Sequence, residues 1–131
     1  MSNAKEKYQD LLESKQLIVM ATVNEDGSPQ TSPVWFHFKD DVLRINTAKG
    51  RLKDRNLRAR PQFSGTIVDP ENPYRYVEIR GEVSEITEEG AVEDIDFLAH
   101  RYLGVDRYPY HNEKETRVIY KIRPTRYTGM G

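Results

Sequence analysis

The chain has 131 residues, 31% of them charged and 37% apolar, with 20 Lys or Arg against 21 Asp or Glu and a formal net charge of −1. That length suits a single domain over residues 1–131 with one core, and the near-neutral balance argues against a general nucleic-acid field over the surface. The absence of cysteine excludes a disulfide framework, a thiolate nucleophile, a Cys-ligated metal and a redox dithiol, and fits a reducing, cytoplasmic setting; no apolar run nears the ~20 residues that span a bilayer.

In chain order, residues 1–4 read as a tag remnant or disordered start without functional weight. Residues 4–14 read as a short amphipathic helix with Tyr8, Leu11 and Leu12 on one side. Lys15 to Val23 is β-rich and nearly all apolar, which predicts a strand buried on both faces; with Asp10 and Glu13 before it, the stretch makes a poor signal peptide. Asn24 to Pro29 is a turn with Asp26-Gly27 as its hairpin signal. Gln30 to Lys39 reads as a second strand, and Pro33 marks it as an edge or a bulge. It places Trp35 and Phe36 on opposite faces, each a candidate for core packing or for a cofactor wall.

After a turn at Lys39-Asp40-Asp41, Val42 to Asn46 is a third strand. Gly50 to Ala59 is helix-like and stops before Pro61. Gln62 to Val68 is a fourth strand, Asp69 to Pro73 a rigid loop, and Tyr74 to Ile86 a long alternating strand in which Gly81 permits a bulge. Thr87 with Glu88 and Glu89 resembles a helix start. Val92, Ile95, Leu98, Ala99 and Tyr102 then recur at helical spacing up to Gly104, covering one barrel opening. The acids Glu88, Glu89, Glu93, Asp94 and Asp96 suit the helix dipole and need no other role. Thr116 to Ile122 is the last clear strand, followed by Pro124 and a tail. Tight hairpins between consecutive strands predict a mostly antiparallel sheet that closes into a barrel more readily than it forms a doubly wound fold.

The most informative segment is Lys49 to Arg60, with six Lys or Arg in twelve positions. On composition alone such a run is a solvated helix face. It follows a strand and a small-residue turn, however, and a helix start loaded with cations is a receiver of phosphate, because N-terminal backbone N–H groups and nearby Lys or Arg both attract the anion. That reading applies to Arg51 and Lys53; Arg58 and Arg60 keep the solvated one. No acid–base constellation accompanies it. His37, His100 and His111 are widely separated, without metal-ligand spacing, and read as structural or surface residues. No nucleophile elbow, dinucleotide fingerprint or P-loop is present, so neither a catalytic side chain nor a metal ligand is assigned. A helix-turn-helix signature or RNA-binding consensus is also missing, which leaves a nucleic-acid module the weakest alternative.

Five segments in order carry a family likeness: Leu17 to Gln30; Thr31-Ser32-Pro33-Val34-Trp35-Phe36; Asn46-Thr47-Ala48-Lys49-Gly50-Arg51 through Leu57; Asp69 to Gly81; and Arg101 to Pro109. They resemble the split β-barrel flavoproteins of the pyridoxamine 5'-phosphate oxidase-like superfamily, most closely the branch of deazaflavin (coenzyme F-420)-dependent oxidoreductases. The resemblance implies a mainly β fold with some α, a six- to seven-stranded antiparallel split β-barrel of the FMN-binding type with peripheral helices. It implies a homodimer with two cofactor sites at the subunit interface, each holding deazaflavin coenzyme F-420, the first choice, or FMN. The phosphate would lie at Arg51 and Lys53 with Asn56 close behind. Thr31, Ser32, Pro33, Val34 and Trp35 would run along the ring, Thr47 and Ala48 would approach the linker, and Tyr74 and Tyr76 would approach from the other subunit. From the residues alone, Tyr74 and Tyr76 fit an exposed or interface strand equally well.

The implied activity is hydride transfer to a small organic acceptor, with a non-catalytic flavin sensor or reservoir as the alternative. A pyridoxamine or pyridoxine 5'-phosphate oxidase ranks lower, because the further basic and histidine residues that recognise a substrate phosphate in that enzyme have no convincing counterpart here. No nucleic-acid or membrane partner is implied.

Overall fold

The computed structural model describes residues 2–131; Met1, part of the expected tag remnant, lies outside them. Two short helices, α1 (Ser2–Lys7) and α2 (Gln9–Leu12), precede the sheet. They replace the single helix expected over 4–14, and the break falls at Tyr8. Tyr8, Leu11 and Leu12 all enter the core, as their shared side requires.

The seven strands are β1 (Ile18–Val23), β2 (Pro29–Val34), β3 (His37–Lys39), β4 (Val42–Ala48), β5 (Gln62–Val68), β6 (Tyr76–Thr87) and β7 (Arg117–Met130). Helix α3 (Leu52–Ala59) follows β4, and α4 (Ala91–Leu103) follows β6. All pairings are antiparallel, in the order β2-β1-β5-β6-β7-β4-β3. The two terminal strands, β2 and β3, are consecutive in the chain and separated only by Trp35 and Phe36. Val34 and His37 therefore stand no more than about 11 Å apart, so the sheet must roll until its edges nearly meet. The edges stay unpaired, and the result is a split barrel.

That geometry corrects the sequence reading of Gln30 to Lys39 as one strand. The chain leaves one sheet edge at Val34 and joins the opposite edge at His37, so Trp35 and Phe36 lie in a crossing and not on two faces of a strand. Phe36 enters the core with no exposed surface, and Trp35 is half-buried against Tyr102. A second correction concerns β1. It buries only Ile18, Met20 and Thr22, while Val19 and Val23, with Leu17 before it, are exposed.

A third correction is at the C-terminus, where the expected tail is strand. β7 runs through Pro124, which sits opposite Gly81 at a register shift of the β6–β7 ladder, where its missing N–H costs no regular bond. Gly81 is required there, since a Cβ would meet the carbonyl oxygen of Arg123 at 2.5 Å. Helix α4 starts at Ala91 behind a left-handed Gly90, and Val92, expected on its apolar face, points to solvent.

The core is filled from inside the barrel by Ile18, Met20, Phe36, Leu43, Ile45, Ile67, Val77, Ile79, Val118, Tyr120 and Ile122. Each large aliphatic side chain contributes roughly 1.5–3 kcal/mol by burial. This rigid wall carries β4, β7 and the start of α3, which position the site.

Candidate functional site

The turn from β4 into α3 is fixed from beneath by one carboxylate. Asp54, 2% exposed, accepts from the Gly50 N–H at 2.7 Å, from Arg58 Nε at 2.9 Å and from the Tyr120 hydroxyl. Gly50 has φ +93°, a conformation that glycine adopts without strain. The acid stands in the first turn of α3, where it also suits the helix dipole. Asn56, buried two residues on, donates to Thr22 Oγ1 at 3.0 Å and Asn24 Oδ1 at 2.9 Å, tying α3 to β1 and its hairpin. With the helix so anchored, Arg51 and Lys53 face a cavity of about 360 Å³ at the open end of the barrel.

Pro33, Val34 and Trp35 form one side of this cavity, Asn46, Thr47 and Arg117 its floor, and Leu17, Ile95, Tyr108 and Tyr110 the remainder. Trp35 is stacked on Tyr102 of α4 at 5.3 Å and 8°, with Tyr108 edge-on at 6.1 Å. Tyr102 is itself pinned: its hydroxyl donates toward Gln16 O (2.8 Å) and Phe36 O (3.1 Å) and accepts from Phe36 N–H (3.2 Å). The indole is thus a fixed aromatic wall.

The floor is cationic. Lys53 donates to Ser32 Oγ at 3.3 Å. Burial, and then the charges of Arg51 and Arg117, hold its ammonium below the ordinary lysine range. Burial likewise lowers the Arg117 guanidinium, opposed by Tyr108, Glu115 and Asp94 and reinforced by Arg51. The carboxylate that answers this cluster is Glu115, 2.9 Å from Arg51 Nη2 and 3.9 Å from Arg117 Nη1. Two buried polar atoms of the lining, Thr47 Oγ1 and Arg117 Nη1, have no hydrogen-bond partner. Two cations disfavoured by burial, Lys53 and Arg117, with the exposed Arg51 beside them, a hydroxyl and a guanidinium N–H left unmade are what an anion with several oxygens would satisfy. The residues therefore fit a phosphate-bearing ligand with a flat ring against Trp35.

Of the residues singled out from sequence, Pro33, Val34, Trp35, Thr47, Arg51 and Lys53 line this cavity, and Ser32 reaches it through Lys53. Thr31 is exposed on β2. Ala48 is buried behind the lining, and Asn56 spends its amide on the hairpin. Tyr74, exposed, and Tyr76, at the start of β6, lie outside the lining of this protomer's cavity. Arg58 and Arg60 are structural: Arg58 pairs with Asp54, and Arg60 Nε donates to Val23 O at 2.8 Å.

Sequence reasoning missed Asn46, Tyr108, Tyr110 and Arg117. The available signal for Arg117 was a cation opening the apolar run Val118-Ile119-Tyr120, a place where a charge is costly unless it is used. It also gave Asp94 and Asp96 no role beyond the helix dipole. Asp94 lies 2.8 Å from His37 Nε2 and accepts from Asn46 at 2.9 Å. Asp96 accepts from the Tyr108 N–H at 2.8 Å and lies 2.7 Å from His111 Nε2, clasping the loop that carries Tyr108 and Tyr110. Burial raises the Asp96 carboxyl, but Tyr108, His111 and Arg107 together hold it below the usual range. Among the described residues no acid and histidine cluster could hold a metal ion, and no helix is long and apolar enough to cross a membrane.

Residues 4–131 match the sequence profile of the family described as pyridoxamine 5'-phosphate oxidase. A solved structure named as an F420 reductase is 38% identical, covers 92% of this chain and 95% of its own, and superposes with a TM-score of 0.84. The conserved protein Rv2991 of Mycobacterium tuberculosis is 25% identical, with coverage of 96% and 83% and a TM-score of 0.74. General stress protein 26 of Bacillus anthracis, 21% identical with coverage of 96% and 92% and a TM-score of 0.70, shares the fold.

Proposed function

Since the chain belongs to the pyridoxamine 5'-phosphate oxidase-like family of flavin- and deazaflavin-related oxidoreductases, we propose that it uses deazaflavin coenzyme F-420, or alternatively FMN, for hydride transfer to a small organic acceptor. The observation that carries this reading is the cavity itself, in which Arg51, Lys53 and Arg117 meet two unpartnered buried polar atoms beside a fixed indole. The 38% identical relative named as an F420 reductase supports the deazaflavin over FMN.

When bound, the cofactor ring supplies the hydride chemistry, and the protein supplies position and electrostatics. Arg51, Lys53 and Arg117 neutralise the phosphate, with the Thr47 hydroxyl as a further partner. Trp35 and Tyr108 set the plane available to the ring. β2 pairs only with β1, so the outward backbone groups of this edge strand, around Ser32 and Val34, are free to bond the ring's polar rim.

The acceptor would enter from the open side, and the second subunit would complete that side. Leu17, Val19 and Val23, with Val68 on the adjacent strand β5, leave apolar side chains exposed on the outer wall, and a second copy of the chain would cover them in a homodimer. In that arrangement Tyr74 and Tyr76 belong to the partner's site.

Titration with coenzyme F-420 and with FMN, followed by single-turnover oxidation of the reduced carrier on a panel of unsaturated acceptors, tests the reading. Binding with turnover supports it. Tight binding without turnover on any acceptor would favour a flavin sensor or reservoir. Absence of binding to either compound would overturn it.

A further inference from the structure

Resting on the phosphate-binding reading above, we propose that Asn46 is the positioning residue of Arg117, and that it delivers the guanidinium to the cavity with its charge intact. Asn46 lies on β4 and is 9% exposed. Its Nδ2 donates to Ala91 O at 2.8 Å and to Asp94 Oδ2 at 2.9 Å, both in the first turn of α4. Its Oδ1 accepts from Arg117 Nε at 2.9 Å. The orientation of the amide follows from the chemistry of its neighbours. Flipped, the oxygen would face a carbonyl and a carboxylate while the NH₂ faced a guanidinium, so every contact would be donor on donor or acceptor on acceptor. Both amide hydrogens are consumed by α4, which leaves Oδ1 aimed at Nε. Asp94 is held in turn by His37 across the barrel end.

The choice of an amide matters because of what surrounds Arg117. It is 8% exposed and shares its cavity with Arg51 and Lys53, whose charges repel it. A free arginine there would turn away from the other cations. A carboxylate at position 46 would hold it but cancel its charge and compete with any incoming anion. A neutral oxygen on Nε fixes the guanidinium plane, and Nη1, buried, without a hydrogen-bond partner and no nearer than 3.9 Å to the Glu115 carboxylate, is left for the ligand. The Asp94 carboxylate stands behind the amide, hydrogen-bonded to Asn46 and acting on Arg117 through its charge alone.

Two measurements decide this. The first is a double-mutant cycle in the full-length chain on affinity for FMN and coenzyme F-420, read by quenching of cofactor fluorescence. Asn46→Ala should weaken binding on the order of tenfold. In the Arg117→Ala background the same change should cost less than about twofold, since a residue acting through Arg117 has nothing left to position. Equal losses in both backgrounds, or no loss in either, would overturn the proposal.

The second needs no cofactor: hydrogen exchange of the Arg117 Nε–H by NMR, slow in the native protein and fast in Asn46→Ala. Asn46→Ser, whose hydroxyl is too short to reach Nε, gives the same readout should the alanine variant fold poorly. Unchanged protection in the folded variant would overturn the proposal. If the native chain takes up neither compound, the functional reading falls, while the exchange of this proton still decides whether Asn46 holds the guanidinium.

Discussion

The basic segment from Lys49 to Arg60 places three cations in each half, and those that face the cavity differ from the rest in how the protein answers them. Three of the six are answered by groups away from the cavity: Lys49 by Glu88, Arg58 by Asp54, and Arg60 by Val23 O and Asn56 Oδ1. At the cavity, among the described residues, Lys53 has only the Ser32 hydroxyl and Arg51 only Glu115, borrowed from a distant loop. What separates a cavity cation from a structural one is therefore not its position in a charge run but whether the fold turns it toward the cavity or ties it to its own helix and hairpin. Arg117 sharpens the point, because it is the most buried of the three cavity cations and the one that keeps an unmade hydrogen bond.

The comparison breaks first at the cavity. The double variant Arg51→Ala/Lys53→Ala should lose about 3 kcal/mol or more of binding, a hundredfold or greater, since each charged phosphate contact is worth roughly 1.5–3 kcal/mol. Arg58→Ala should leave affinity for FMN or coenzyme F-420 within about twofold of native, because Arg58 faces Asp54 and not the cavity. Calorimetric titration of both proteins checks the contrast, and equal losses would erase the distinction drawn here.

The anchor beneath the turn comes next. Asp54→Ala leaves the Gly50 N–H and the Tyr120 hydroxyl without their acceptor and should cost about 3 kcal/mol of stability in denaturant unfolding. A smaller effect is set by pH. The Lys53 ammonium titrates below the ordinary lysine range because burial and two neighbouring cations disfavour its charge. Affinity for the anion is therefore greatest below that lowered value and falls as pH rises through it, by about tenfold for one contact. Lys53→Arg should move the fall out of the accessible range, and coincident profiles for the two proteins would contradict the assignment.

The smallest effect has the opposite sign. Glu115 occupies Arg51 at a partly exposed site, where an ion pair is worth about 1 kcal/mol or less. Glu115→Gln should free that guanidinium and tighten cofactor binding by up to about fivefold. Weaker binding would mean that Glu115 orients Arg51 and does not compete with the anion.

What was legible in the sequence was what the sequence encodes locally. Gln62–Val68 forms a strand with the expected bounds, and Arg51 and Lys53 reach the cavity because a strand, a glycine turn and a helix start are adjacent in the chain. What was hidden depends on contacts between distant positions. Asn46 and Arg117 are 71 residues apart and meet only because β4 and β7 pair. The break of the second strand at Trp35 reflects the rolling of the whole sheet, which no local propensity records. Pro124 reads as a stop until the bulge opposite Gly81 is known. The apolar run before the first hairpin reads as fully buried, because composition does not record which face of a strand meets the core; Val19 and Val23 stand exposed.

The account stands on the anion. Its most direct test measures affinity for two matched pairs, FMN against riboflavin and coenzyme F-420 against its phosphate-free deazaflavin. In at least one pair the phosphorylated compound should bind a hundredfold or more tightly, and that preference should disappear in Arg51→Ala/Lys53→Ala. Equal affinities within both pairs would contradict the account.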